Sequence, residues 1–83
     1  MTFKIETAFE GGRTVLRLIG RMQSVDIAEL RLQMERSPSK VVLDLDDLAL
    51  VDAEVVRFLK AAEAAGTMLR NCPPFVREWM STQ

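Results

Sequence analysis

Residues 40–66, KVVLDLDDLALVDAEVVRFLKAAEAAG, constrain the fold of this chain more than any other stretch. The segment begins with Lys40-Val41-Val42-Leu43-Asp44-Leu45, where apolar residues stand at adjacent rather than alternating positions. Such a run suits a strand covered on both faces. An acidic turn follows, and Asp52 stands just ahead of a helical apolar pattern, where an N-cap belongs. A carboxylate there accepts bonds from the first free N–H groups, a contribution of about 1 kcal/mol. Gly66 ends the helix, because glycine takes the left-handed terminal conformation at little cost. Strand, acidic turn, capped helix and glycine stop form a unit against which the remaining segments must pack.

Upstream, Phe3, Ile5, Thr7 and Phe9 alternate with Lys4, Glu6, Ala8 and Glu10. This is the pattern of a half-buried strand with one wet face. Gly11-Gly12 is a hairpin turn signal, since both positions can take positive φ. Residues 14–19 are the return strand, broken by Gly20, so the first two elements form an antiparallel pair. Ser24 and Asp26 are alternative caps for the next helix, and Asp26 with Glu29 fits a capping box. Ile27, Leu30 and Met34 make its buried stripe, with Leu32 pointing away. Ser37-Pro38-Ser39 ends it, because a residue before proline leaves the α region.

On a helical wheel the segment after Asp52 places Val55, Phe58, Leu59, Ala62 and Ala65 towards the sheet. Glu54, Arg57, Ala61 and Ala64 fall towards solvent, and Val56, Lys60 and Glu63 make a third side. The small solvent-facing side chains would let another chain approach closely, although alanine is also simply a good helix former. Residues 67–70 read as a short last strand. Asn71-Cys72-Pro73-Pro74 starts a final helix, where a proline's missing N–H is no loss. Phe75, Val76, Trp79 and Met80 supply that helix's apolar face. The order β-β-α-β-α-β-α predicts one α/β domain over residues 1–83: a four-stranded mixed sheet with helices mainly on one face.

Composition narrows the function classes. Eighty-three residues suit one small domain that buries about 60–65% of its unfolded surface. The net charge is −1, with basic residues spread along the chain. That is not the basic footprint nucleic-acid binding needs. No apolar run approaches the ~20 residues of a membrane span, and the alternating N-terminus has no signal-peptide core. The lone Cys72 cannot form an internal disulfide, so these features together favour a cytoplasmic setting. With no histidine and one cysteine, a zinc site or nucleophile–base dyad is not expected. Asp44, Asp46, Asp47 and Asp52 crowd together, but turn formation and capping account for them better than a metal does. No cofactor, metal or catalytic residue is predicted. Cys72 reads as a small apolar filler rather than a reactive thiol.

The pattern VVLDLDDLALVDAEVVRFLKAAEAAG resembles the core signature of the STAS family, the anti-sigma-factor antagonists. Asp44-Leu45 matches the strand end, Val51-Asp52 the loop end, and residues 55–66 the helix and its glycine. Leu16-Arg17-Leu18-Ile19-Gly20-Arg21 is similar to the family's second-strand pattern. The resemblance implies a STAS-like fold and a non-enzymatic interaction module. Its partner would be an anti-sigma factor or related kinase-like regulator. Docking would use the loop before Asp52 and the outer face of the next helix, through Asp52, Ala53, Glu54, Arg57 and Ala61. At Ala53 the antagonist branch carries a serine that its partner kinase phosphorylates. Ala53 has no hydroxyl, so a switch adding about −1.5 to −2 charges is missing at this position. Glu54 is read as favourable at a helix N-terminus rather than as a phosphate mimic. Alternatives are a nucleotide-like small-molecule sensor, against which the lack of a glycine-rich phosphate loop counts, and a structural homodimer.

Overall fold

The computed structural model describes residues 2–37 and 40–83. Its element order is β1 (Phe3–Glu10), β2 (Arg13–Met22), a 3₁₀ turn (Ser24–Asp26), α1 (Ile27–Arg36), β3 (Val41–Asp44), β4 (Leu48–Val51), α2 (Ala53–Ala64), β5 (Met68–Arg70) and α3 (Pro74–Ser81). The sheet is mixed, as expected, in the order β1-β2-β3-β5. It has five strands rather than four, because the acidic loop contains β4, which pairs in parallel with the end of β2. Two short strands, β3 and β4, therefore lie in tandem along the same edge of β2.

The hairpin forms as expected. Gly11 and Gly12 have φ of 55 and 78°, which suits a two-residue turn with both central residues left-handed. Gly20 does not end its strand. It sits inside β2 with φ of 97°, at a register shift between Gly20 and Arg21. A Cβ on Gly20 would lie 2.3 Å from the Thr2 carbonyl oxygen, so the strand can pass this point only without a side chain. Of the stop at Ser37-Pro38-Ser39, Pro38 and Ser39 lie outside the described residues. Ser37 caps α1, with its N–H donating to the Met34 carbonyl.

Pleating sorts the sheet into two faces. Leu16, Leu18, Met22, Leu43 and Leu45 join Leu30 of α1, Val55, Val56 and Leu59 of α2, and Val76 and Met80 of α3 in one core. All three helices thus contribute to the core on one side of the sheet. On the other side the strand register aligns Glu6, Arg17, Asp44 and Arg70 in one row and Ala8, Val15, Val42 and Met68 in the next. Arg70 bonds both Asp44 and Glu10 at 3.1 Å, and Arg17 bonds Asp47.

Two helix faces depart from the wheel. Val56, placed on the third side of α2, is fully buried, whereas Phe58 is only half-buried and Ala65 is exposed. The reason is α3, which packs on that third side: Arg77 bonds Glu63 at 2.8 Å, and Lys60 donates to the Gln83 carbonyl. Burial of an aliphatic side chain contributes about 1.5–3 kcal/mol, so Val56 joins the core on that side while Lys60 and Glu63 stay exposed. In α3 itself Val76 and Met80 are buried and Trp79 half-buried, but Phe75 is exposed.

Candidate functional site

The start of α2 is built by Asp52. Its Oδ1 accepts the Val55 N–H at 2.9 Å, which is the predicted cap. Its Oδ2 accepts the Ser24 N–H at 2.8 Å, a bond that sequence reading missed. One carboxylate therefore ties the start of α2 to the turn ahead of α1, a residue 28 positions away. The expected capping box of Asp26 with Glu29 is absent. The Asp26 carboxylate turns back to accept the Gln23 N–H at 2.9 Å, and Glu29 bonds Gln33 instead. A 3₁₀ turn between Gln23 and α1 shifts the cap by one turn, which no local pattern in the sequence signals.

We expect Asp52→Ala to lower the unfolding free energy by about 1.5–2 kcal/mol, since a cap and a second backbone bond are lost together. Asp52→Asn, whose single carbonyl oxygen still caps Val55, should lose about half of that. Urea denaturation of the three proteins checks the order.

At the far end, α2 closes as a Schellman motif. The Gly66 N–H donates to the Glu63 carbonyl and the Thr67 N–H to the Ala62 carbonyl, both at 3.0 Å. Gly66, at φ 104°, supplies the left-handed residue this needs.

Between these ends, the residues predicted for docking share an accessible side. Asp52 and Ala53 are half-buried, and Glu54, Arg57 and Ala61 are exposed. Arg57 is not free: it pairs with Glu54 one turn back and reaches the Gln83 side chain at 3.2 Å. Next to this side runs a shallow apolar groove between α1 and α2. Met34, Phe58, Ala61, Ala62 and Ala65 line it, with the Arg31 guanidinium 5.3 Å over the Phe58 ring. The wheel places Phe58 towards the sheet; half-buried in the fold, it also lines this groove. A further exposed side chain, Val25, sits in the 3₁₀ turn that Asp52 ties down.

The remaining acidic residues separate into local tasks. Asp44 is only 7% exposed, and it accepts bonds from the Asp46 N–H at 3.1 Å, Arg70 at 3.1 Å and Asn71 at 3.3 Å. Asp47 pairs with Arg17. Among the described residues no group of three metal-ligating side chains converges. Cys72 is half-buried against the core, and burial pushes its thiol up, away from the reactive thiolate. Among the described residues no helix is long and apolar enough to cross a membrane.

What the site offers is therefore a rigid helix start, one charged pair and an apolar groove. Comparison of the chain with protein-family models finds no match, and comparison with curated proteins finds none either.

Proposed function

We propose that this chain is a non-enzymatic protein-interaction module, STAS-like in kind, whose partner is a regulator of the anti-sigma-factor class. Docking uses the loop ahead of Asp52 and the outer side of α2. The observation that carries this reading is the accessible side formed by Ala53, Glu54, Arg57 and Ala61, held in place by the two bonds of Asp52. The Met34–Phe58 groove beside it adds apolar surface that a partner side chain would fill. Small residues at 61, 62 and 65 keep the groove open. Ala53 carries no hydroxyl, so phosphorylation at that residue cannot release the partner.

A photo-reactive residue at position 61, introduced in the native host, tests the proposal. One regulator with an ATPase-kinase fold should be cross-linked and identified by mass spectrometry. Arg57→Glu should weaken its binding by about thirtyfold, the effect of losing one central anchor. Position 63, whose glutamate is engaged by α3, serves as the control and should capture little. Equal capture from both positions, or binding indifferent to Arg57→Glu, would remove this face from consideration.

A further inference from the structure

β1 is an edge strand with no partner on its outer side among the described residues. It is eight residues long, and Phe9 at its end is 72% exposed. An edge of that length is a template for pairing unless something blocks it. Which backbone groups face outward follows from the hairpin. In a two-residue turn the flanking pair, here Glu10 and Arg13, exchanges both hydrogen bonds, so the even residues of β1 bond β2. The far side of β2 agrees. The Thr14 N–H points to the Lys40 carbonyl at 2.8 Å and the Gly20 N–H to the Asp47 carbonyl at 3.0 Å. Their partners in β1, Phe9 and Phe3, are odd. The N–H and C=O groups of Ile5, Thr7 and Phe9 therefore point outward.

We infer that this edge pairs with β1 of a second copy, antiparallel, about a two-fold axis through Thr7. Only alignments that keep side chains on matching faces are possible. An axis at Glu6 sets Glu6 against Glu6, and an axis at Ala8 sets Glu6 against Glu10. An axis at Ile5 leaves Phe9 beyond the other strand. The axis at Thr7 sets Lys4 opposite Glu10 on the open face and Ile5 opposite Phe9 on the helix face, each twice. Opposite charges, an aromatic with a β-branched residue, and paired threonines are the cross-strand combinations that stabilise a ladder. The outward groups supply about six new backbone bonds in this alignment. Ile5 already packs on the core, so the partner's Phe9 would extend that core across the edge. Lys4 and Glu10 now make only exposed pairs, with Glu6 and Arg70, and these can share the new neighbour. The edge charges thus select one alignment instead of preventing all of them. No residue of the α2 face is used.

Sedimentation equilibrium from about 10 µM to 1 mM tests this, with far-UV circular dichroism to confirm that each variant folds. The parent should be a dimer at the upper end. Lys4→Glu and Glu10→Lys, each placing like charges opposite one another twice, should weaken it about tenfold. The double variant restores opposite charges and should return to within about threefold of the parent. Thr7→Pro deletes an outward N–H that no bond within the chain uses, and should give a folded monomer. A parent that stays monomeric at 1 mM overturns the inference. So does a dimer that the single charge variants leave unchanged, or one that the double variant fails to recover. If Thr7→Pro does not fold, the charge exchange decides alone.

Discussion

Gly20→Ala should unfold this protein more readily than any other single methyl added to its backbone. The added Cβ meets the Thr2 carbonyl oxygen at 2.3 Å, and a backbone atom cannot rotate aside. The residue also sits at φ 97°, where an L side chain is strained. Strain and overlap together cost about 3 kcal/mol. In a domain of this size each kcal/mol moves the melting temperature by about 4–8 °C, so a fall on the order of 15 °C is expected. Gly12→Ala is the internal comparison. Gly12 also has positive φ, but nothing lies within 4 Å of its Cβ position, so about 1 kcal/mol should be lost. Equal losses in the two variants would mean that the closeness of Thr2 contributes nothing.

The second large effect is at Asp44. Burial alone would raise its carboxyl, but bonds from the Asp46 N–H, Asn71 and Arg70 outweigh burial and hold it below the ordinary range. Removing it strips partners from three donors, one of them on Asn71, which is held at φ 56°. Asp44→Ala should therefore lose about 3 kcal/mol at neutral pH. Because the folded value lies below the unfolded one, the ionised carboxylate stabilises the fold fully above the unfolded value of about 4. That contribution is lost as pH falls through the lower folded value. Urea titrations at pH 7, 4 and 3 should show the parent losing stability across this window. Asp44→Asn, which keeps an acceptor but no charge, should start lower and fall less. Parallel slopes for the two proteins would show that Asp44 is not the group responsible. Glu63, held down by its bond from Arg77, shifts in the same direction in both proteins and cancels from the comparison.

Features whose cause is local were legible in the sequence. Gly11-Gly12, the cap at Asp52, the stop at Gly66 and the proline start of α3 each depend on a few neighbouring residues, and each appears where it was expected. Features set by distant segments were not. Residues 48–51 looked like loop because their strand partner is the end of β2, far away in the chain. Gly20 looked like a stop because the close approach of Thr2 is a tertiary fact. Val56 stood on a third side of the wheel with no assigned cover, because that cover, α3, comes about twenty residues later in the chain. The candidate docking residues were found on one accessible side, but the Phe58 groove beside them depends on how α1 lies against α2, and no wheel of a single helix can show that.

The tandem arrangement of β3 and β4 has a mechanical consequence. β3 is clamped between β2 and β5, whereas among the described residues β4 pairs with β2 alone, across a register shift. What fixes the segment leading into Ala53 is therefore its side chains: Leu48 and Val51 are buried in the core, and Asp52 holds the Ser24 N–H. Freeing that segment would break one strand seam, but it would also wet two core side chains and undo the tie between α2 and the turn ahead of α1.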